Sequence, residues 1–324
     1  MMGYVDLHLH LDGSISAAMA RKLADMQNIA LPETDEALER MLKCPKDCRD
    51  LNDYLTCFEL PLSLLQTRKG ICEAVYRLQE ELKAQGLIYA EIRFAPQLHC
   101  DRDLSQEEVV AAAVEGLNWS DFPANLILCC MRGEDNLEEN IETVWTAKHF
   151  RKKGVAGIDL AGAEGLYPTK NFREIFELAS TLSVPYTIHA GEADGPRSVK
   201  KAMEFGAKRI GHGVRACEDP VLLQDLSDEG IVLELCPKSN LDTRIFPDIS
   251  AYPLRKFLEY EILVTINTDN MEVSDTTIEK EMERLKQEFS LTEEEILQLE
   301  LNAVNASFAP EKQKKELRKL LTTK

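Results

Sequence analysis

The chain has 324 residues, 44% of them hydrophobic, and a formal net charge of −18 at pH 7. A surface of that sign repels the phosphates of nucleic acids and the headgroups of anionic lipids, so we expect neither a nucleic acid nor a membrane as a partner. The chain also lacks an apolar run long enough to span a bilayer and a signal-peptide pattern. Its nine cysteines show no repeated C-x-x-C spacing, which favours free thiols and a cytoplasmic location.

The opening stretch, from Val5 to Ser14, has the period of two that is typical of a β-strand. One face of this predicted strand is apolar, and the other carries Asp6, His8, His10 and Asp12. Two imidazoles at positions i and i+2 project in parallel, which suits two ligands of one metal ion. Taken alone, this H-x-H pattern fits a hydrogen-bonded structural pair equally well.

The longest connection, residues 14–86, is predicted to contain four helices, at 16–28, 33–43, 52–65 and 69–85. A single crossover between strands needs much less chain, so we expect this helical insertion to fold over one end of the domain. Its apolar side chains around Tyr54 have helical spacing. They fit either ordinary core packing or a lid over a pocket.

Beyond residue 86, short apolar segments alternate with helical patterns. The predicted strands are 88–95, 125–131, 155–160, 186–189, 209–212, 231–235 and 263–268. The predicted helices are 105–118, 137–153, 171–182, 197–205 and 221–229, followed by a helical tail over 276–324. The first of them opens with a capping box at Ser105. Eight strands alternating with helices predict an α/β fold, a (β/α)₈ TIM barrel that forms one domain over residues 1–324.

Polar residues collect where these strands end, which is where a barrel of this kind places its active site. Four of the six histidines lie there. His8, His10 and His189, with Asp269 after the last strand, form a ligand set that suits zinc and leaves room for a water molecule. The same ligands also suit iron or manganese. A water molecule bound to such an ion ionises near neutral pH and becomes a nucleophile.

Two further residues complete a hydrolytic site. Glu192, three residues after His189, is the candidate proton donor, although a solvated loop carboxylate would show the same pattern. His212 could hold the attacking water and stabilise the charge that develops on it. We find no G-x-S-x-G, Walker or G-x-G-x-x-G motif, no H-x-E with P-C-x-x-C, and no bridging lysine after the fourth strand. The sequence therefore favours a site with one metal ion.

Taken together, these segments resemble the adenosine deaminase family of the amidohydrolase superfamily. The similarity extends from about Tyr4 to Asp275 and rests on the order and spacing of DLHLHLDGS, EIRFAP, GIDLAG, IHAGE, IGHGV, ELCPKSN and INTDN. It implies one zinc ion and hydrolysis of adenosine or 2′-deoxyadenosine to inosine or 2′-deoxyinosine and ammonia. The implied ligands are those named above, with Asp269 also catalytic. Glu192 would protonate the ring nitrogen beside the amino-bearing carbon, and His212 would orient the hydroxide.

The resemblance also implies the substrate contacts. The backbone amide of Gly162 would contact a second ring nitrogen, and Asp12 would bind the ribose 5′-hydroxyl. His10 and Asn270 are predicted to contact the substrate as well. The family pattern usually has an aspartate where this chain has Asn270, and an aspartate where it has Ala163. The small-molecule substrate is therefore predicted to be a purine nucleoside.

Three alternatives remain open at this point. A related enzyme could deaminate adenine or another 6-aminopurine derivative. A metal-dependent phosphoesterase could also begin with H-x-H on a barrel strand, but it would need two or three metal ions and basic phosphate ligands, which these strand ends lack. A non-catalytic nucleoside-binding protein is the third, and it would have no need of Glu192.

The amide at Asn270 gives a first testable prediction. An aspartate must be protonated before it donates a hydrogen bond to the purine, whereas an amide donates at any pH. Asn270→Asp should therefore retain substrate binding but add a pH dependence to it, measured as KM across a pH series. A KM that follows pH as it does in the unsubstituted protein would contradict this role for Asn270.

Overall fold

The computed structural model describes residues 3–323, and the strand pairs within these residues are parallel. The strands are β1 Tyr4–His10, β2 Leu87–Phe94, β3 Ala124–Met131, β4 Val155–Ala161, β5 Ile188–Ala190, β6 Arg209–His212, β7 Val232–Leu235 and β8 Leu263–Ile266. They form two four-stranded sheets, in the orders β1-β2-β3-β4 and β5-β6-β7-β8.

Backbone hydrogen bonds at two seams join these sheets into a barrel. At the first seam, the Asp269 N–H donates to the His8 carbonyl and the His10 N–H donates to the Asp269 carbonyl, each at 2.7 Å. At the second seam, Ile158 pairs with Tyr186. The predicted (β/α)₈ TIM barrel is confirmed, with its eight strands at the predicted places to within two residues at nearly every end.

Helices cover the outside of the barrel. They are α1 Ala17–Gln27, α2 Asp35–Leu42, α3 Leu51–Leu55, α4 Glu59–Leu64, α5 Arg68–Ala84, α6 Gln106–Leu117, α7 Leu137–Phe150, α8 Arg173–Thr181, α9 Pro196–Glu204, α10 Pro220–Asp228, α11 Pro237–Asp242, α12 Leu254–Glu259, α13 Ile278–Phe289, α14 Glu293–Ala306 and α15 Glu311–Thr322. Among residues 3–323, none of them combines the length and the apolar character that a bilayer crossing requires. The capping box at Ser105 is confirmed, because Ser105 and Glu108 bond reciprocally at the start of α6.

The opening strand is shorter than predicted. It ends at His10, whereas the sequence predicts that Gly13 ends it, and a 3₁₀ turn follows over Asp12–Ser14. The polar side chains that alternate with apolar ones along this strand do not face solvent, because Asp6 and His8 are both fully buried. Their face of the strand points into the barrel interior, where polar partners from other strands take the place of water.

The single helix predicted at 52–65 is wrong. Helices α3 and α4 are separated by a 3₁₀ turn at Thr56–Phe58. Pro61 lies in the first turn of α4. A proline deeper in a continuous helix would remove one hydrogen bond and its ring would clash with the carbonyl four residues earlier, so the helix restarts just before it. The helix predicted at 137–153 ends at Phe150, and α11 and α12 were not predicted.

The helical tail is confirmed, and it packs on the outer face of β1 and at the amino-terminal end of the barrel, where Arg209, the first residue of β6, donates to the Ala306 carbonyl at 3.2 Å. Side chains of α14 and α15, among them Val304 and Leu317, form a buried cluster with Val5 and Leu7 of β1. Glu300 accepts a hydrogen bond from the Val5 N–H at 2.8 Å. This closed end leaves the carboxyl ends of the strands as the end that is open to a ligand.

Candidate active site

A cavity of about 300 Å³ lies at the carboxyl ends of the strands. Its base is polar and includes His10, Asp12, Glu192 and Asp269 from the ends of different strands, whereas one wall is apolar. That wall comes from the helical insertion and consists of Leu51, Tyr54, Leu55, Phe58 and Leu62. The predicted insertion thus supplies part of the lining, and the cavity combines an apolar wall with a few convergent polar groups, as ligand sites usually do.

The four predicted metal ligands converge at the base of this cavity. One ligand atom from each of His8, His10, His189 and Asp269 lies within 4.8 Å of the others. Asp269 Oδ1 is 3.4 Å from His8 Nε2 and 3.3 Å from His10 Nε2, and the two Nε2 atoms of His10 and His189 are also 3.3 Å apart. A tetrahedral zinc ion with ligands at about 2.0–2.1 Å would separate those ligands by about 3.3 Å. The residues therefore fit the ion that the sequence predicts.

Carboxylates on the far side of two imidazoles orient them for that ion. Nδ1 of His8 lies 2.9 Å from Glu234 Oε2, and Nδ1 of His189 lies 2.8 Å from Asp159 Oδ2. A carboxylate on Nδ1 keeps the proton there and leaves the Nε2 lone pair free for a metal. On the other side of its ring, the buried His8 Nε2 faces Asp269 Oδ1 at 3.4 Å, a separation that suits two ligands of one cation.

The electrostatics of this group favour a bound cation. Burial raises the pKa of Asp269, but the hydrogen bond to His8 and the neighbouring imidazoles outweigh it and hold that pKa well below its usual range. Burial lowers the pKa of His8, yet hydrogen bonds to Asp269 and Glu234 leave it raised. Asp269 is thus held ionised among imidazoles, and His8 binds a proton more readily than an ordinary histidine. A divalent cation can take the place of that proton.

Glu192 faces the same cavity and is buried, with 4% of its surface exposed. Burial, reinforced by the negative charges of Asp269 and Glu164, raises the pKa of Glu192 well above its usual range. Glu192 Oε2 lies 3.6 Å from His212 Nε2, while Oε1 has no hydrogen-bond partner within residues 3–323. A carboxyl group whose pKa is raised keeps its proton to a higher pH, and one that has a free oxygen can act as a proton donor.

The backbone is strained at two of these positions. His212 has φ of 57° and Asp269 has φ of 61°, in the left-handed region that side chains with a Cβ rarely adopt. Such conformations cost of order 1–3 kcal/mol each and persist where the surrounding structure fixes them. At Asp269 the fixing contacts are the two backbone hydrogen bonds to β1. The strain turns both side chains toward the cavity at the strand ends.

The predicted substrate residues also line the cavity. Asp12, Gly162 and Asn270 all contribute to its wall, as does His10. Gly162 has φ of 105°, a conformation open to glycine alone, which presents backbone rather than a side chain to a ligand. The Asn270 side chain rests on Gly13, where an added Cβ would lie 1.8 Å from Asn270 Oδ1.

Comparisons with known proteins place this site in a family. The family model described as adenosine deaminase matches residues 4–324. The adenosine deaminase of Haemophilus ducreyi is 50% identical in an alignment that covers 97% of this chain and 94% of that protein. The chain belongs to the adenosine deaminase family. The adenosine deaminase of Enterococcus faecalis is 40% identical over 317 residues, with coverage of 97% and 94%.

Solved structures agree with this family fold. The adenine deaminase of Arthrobacter aurescens superposes with a TM-score of 0.91 at 26% identity, covering 99% of this chain and 98% of that one. The N6-methyl-AMP deaminase of Arabidopsis thaliana superposes with a TM-score of 0.85 at 23% identity, covering 99% and 96%. The second comparison bears on the fold alone.

This member of the adenosine deaminase family contains a second possible ligand group that shares two residues with the first. His8, His212, Cys236 and Asp269 also bring one ligand atom each to within 4.8 Å of the others. Burial raises the pKa of the Cys236 thiol well above its usual range, so the thiol stays protonated, and Cys236 Sγ lies 3.5 Å from the Glu234 carbonyl. In the first group, both His8 and His189 have a carboxylate at Nδ1, which leaves Nε2 free for a metal and favours that group.

Sequence reasoning missed Glu164, the residue that fixes the loop of Glu192. The Glu164 carboxylate accepts hydrogen bonds from the backbone N–H groups of Gly191, Glu192 and Asp194, at 2.7, 3.0 and 2.9 Å, and from the Ser198 hydroxyl. It is 1% exposed. Glu164 lies two residues after the GIDLAG motif, but an acidic loop residue has no spacing that distinguishes it from a solvated one.

Sequence reasoning also missed the charged residues that support the ligands. Arg93 donates to Asp159 at 2.7 Å and to Glu234 at 2.9 Å, and Arg209 contacts Glu234 and Glu91 at 2.6 Å each. All are fully or almost fully buried. Each is a charged residue on the inward face of a barrel strand. A sequence pattern identifies such a residue as buried only once the inward face of the strand is known.

The raised pKa of Glu192 gives a prediction about stability. An unfolded glutamate has a pKa of about 4.3. The pKa of Glu192 in the folded protein lies above this pKa. The contribution of Glu192 to the free energy of unfolding is therefore complete at pH values below its unfolded pKa and is lost as pH rises through its folded pKa. Glu192→Gln, which cannot ionise, should therefore lose less free energy of unfolding than the unsubstituted protein as pH rises from 5 to 9.

Denaturant unfolding at a series of pH values measures this difference. The exposed Glu177 offers a matched control, since Glu177→Gln removes one carboxylate at a site that is 65% exposed and should follow the unsubstituted protein. Parallel pH profiles for Glu192→Gln and the unsubstituted protein would show that the folded pKa is not raised.

Proposed function

We propose that this protein hydrolyses adenosine and 2′-deoxyadenosine to inosine and 2′-deoxyinosine, with one zinc ion per chain. Water replaces the exocyclic amine, which leaves as ammonia. The observation that carries the proposal is the convergence of three imidazoles and Asp269 beside the buried Glu192 at the base of one cavity. The relatives named adenosine deaminase, at 50% and 40% identity over nearly the whole chain, support the choice of substrate.

In this proposal the ion is held by His8, His10, His189 and Asp269. When bound, zinc would supply the Lewis-acid activation that turns water into a nucleophile near neutral pH. The protein's part is to fix the ligands through the Glu234 and Asp159 carboxylates, so that the donor atoms are in place before the ion arrives.

The remaining catalytic roles belong to side chains of the chain itself. Glu192 donates its carboxyl proton to the ring nitrogen next to the amino-bearing carbon, which draws electrons from that carbon and makes it electrophilic. His212, whose Nε2 lies 3.6 Å from Glu192 Oε2 and 3.9 Å from Asp269 Oδ2, donates a hydrogen bond to the attacking oxygen. Asp269 Oδ2 accepts a hydrogen bond from the water and so aims it.

Substrate binding divides between polar and apolar parts of the cavity. Asp12 accepts a hydrogen bond from the ribose 5′-hydroxyl, the Gly162 amide meets a ring nitrogen, and Asn270 donates to the imidazole part of the purine beside His10. The apolar wall from residues 51–62 covers the rings. In this proposal residues 14–86 form a lid on a single domain that spans residues 1–324.

A second candidate is deamination of adenine or another 6-aminopurine. Two observations favour this alternative. The adenine deaminase of Arthrobacter aurescens superposes with a TM-score of 0.91, and this chain has Asn270 where the family pattern usually has an aspartate. The presence of Asp12 in the cavity favours the nucleoside, because free adenine has no hydroxyl for that carboxylate to bind.

Ammonia release from adenosine, deoxyadenosine, adenine and AMP tests the proposed function. We expect adenosine and deoxyadenosine to be the best substrates, a metal chelator to abolish turnover, and zinc to restore it. Glu192→Gln should lower kcat by about 10²–10⁴-fold, since a positioned proton donor contributes that much. The exposed control Glu177→Gln should keep full activity.

The remaining arms separate the alternatives. Adenine as the best substrate would establish the second candidate instead. Full turnover by Glu192→Gln would remove the proton donor from the mechanism, and the absence of ammonia from every substrate would favour a phosphoesterase or a nucleoside-binding protein.

The charge of Asp12 predicts discrimination against nucleotides. A buried carboxylate accepts a hydrogen bond from a hydroxyl but repels a 5′-phosphate, and like charges brought together at a binding site cost several kcal/mol. We expect kcat/KM for adenosine to exceed that for AMP by at least about 10²-fold, and Asp12→Asn to narrow the ratio. AMP as good a substrate as adenosine would contradict this role.

A further inference from the structure

The two ring nitrogens of His212 face different partners. Nδ1 lies 3.1 Å from the side-chain nitrogen of Asn240, and Nε2 faces the carboxyl groups of Glu192 and Asp269, at 3.6 and 3.9 Å. The ring is 1% exposed. A neutral imidazole carries one proton, so these neighbours decide which nitrogen holds it.

Tyr252 fixes the orientation of the Asn240 amide. The Tyr252 hydroxyl donates to Asn240 Oδ1 at 3.2 Å, and Asn240 and Tyr252 are 0% and 2% exposed. With Oδ1 engaged by a hydroxyl proton, the NH₂ group of the amide is the end that faces His212. That group can only donate, so Nδ1 of His212 must accept with its lone pair, and the proton lies on Nε2.

The Asp269 carboxylate on the other side of the ring favours the same arrangement. A lone pair on Nε2 would point toward the negative charge of Asp269, 3.9 Å away, and be repelled, whereas an N–H bond there is attracted to it. The hydrogen bond from Asn240 to Nδ1 is therefore the contact that selects the tautomer, and the charge of Asp269 acts in the same direction.

His8 and His189 show the opposite arrangement. Each has a carboxylate at Nδ1, from Glu234 and Asp159, which holds the proton on Nδ1 and leaves Nε2 free to bind a metal. Only the partner behind the ring differs, carboxylate for these two imidazoles and amide for His212.

We propose that Asn240, oriented by Tyr252, is a positioning residue that holds His212 in the Nε2–H tautomer and thereby makes it a hydrogen-bond donor rather than a metal ligand. A protonated Nε2 cannot bind a metal ion, so the assignment removes that nitrogen from the second possible ligand group, which contains His212. Its catalytic meaning rests on the proposed deaminase function. The tautomer itself does not.

The effect on kcat of exchanging a carboxylate and an amide behind a catalytic histidine is known from serine proteases. In serine proteases, replacing the carboxylate by an amide preserves the geometry, fixes the wrong tautomer and lowers kcat by about 10⁴-fold. Here the change runs in the other direction. Asn240→Asp keeps the shape of the side chain but offers only acceptors to Nδ1, so the proton should move to Nδ1.

Nitrogen-15 NMR of histidine-labelled protein, without substrate, reads the tautomer directly. His212→Asn identifies the His212 signals by their loss. We expect the unsubstituted protein to show a protonated Nε2 and an unprotonated Nδ1, Asn240→Asp to show a protonated Nδ1, and Tyr252→Phe to populate both tautomers because the amide is free to turn. Ser239→Ala is the matched control, since the neighbouring Ser239 hydroxyl is buried and makes no hydrogen bond to His212 within residues 3–323.

Kinetics adds a second measurement if adenosine is the substrate. We expect Asn240→Asp to lower kcat by about 10²-fold or more with a smaller change in KM, because the lost hydrogen bond acts on the attacking oxygen. A protonated Nδ1 in the unsubstituted protein, or an unchanged tautomer in Asn240→Asp, would overturn the proposal. If Asn240→Asp fails to fold, the unsubstituted protein and Tyr252→Phe still decide it. Absence of deaminase activity with the expected spectra would overturn the proposed function alone.

Discussion

Buried ion pairs between the barrel strands are the interaction on which the site depends. Arg93 lies between Asp159 and Glu234, and each of those carboxylates contacts Nδ1 of one imidazole at the base of the cavity. Removing a single member of a buried ion pair costs about 3–5 kcal/mol, because it leaves an uncompensated charge in a medium of low polarity. The positions of the imidazoles therefore derive from the barrel interior rather than from the loops above it.

This arrangement separates two tasks along the barrel axis. Deep in the barrel, ionised carboxylates pair with arginines, and the pKa values of Asp159 and Glu234 are held well below their usual range despite burial. One layer higher, the charge of Arg132 only partly offsets burial and the negative charges of Asp269 and Glu164, so the pKa of Glu192 is raised instead. The same residue type thus serves as a fixed anion at one depth and as an acid at another, and the difference is the counter-ion.

Much of the fold was readable from sequence because strand and helix periods are local properties. The period of two around His8 and the alternation of strands and helices predict the barrel. Because the active site of such a barrel lies at the carboxyl ends of its strands, the residues at those ends are then predicted to lie together. The prediction of one helix over 52–65 is wrong because Pro61 fits only the first turn of a helix, so a new helix begins at Glu59. Glu164 and Asn240 were not recognised because their roles lie in contacts between distant segments, and a residue type alone does not encode them.

The pairing of Asp269 with β1 has a consequence for how the protein is made. The carboxylate and the amino-terminal imidazoles come from opposite ends of the barrel sequence, and two backbone hydrogen bonds join them across the last seam. During synthesis, His8 and His10 leave the ribosome long before their fourth partner exists. In the proposed metal site, tight capture of the ion must therefore await the final strand, and a chain cut short before residue 269 would lack one of the four proposed ligands.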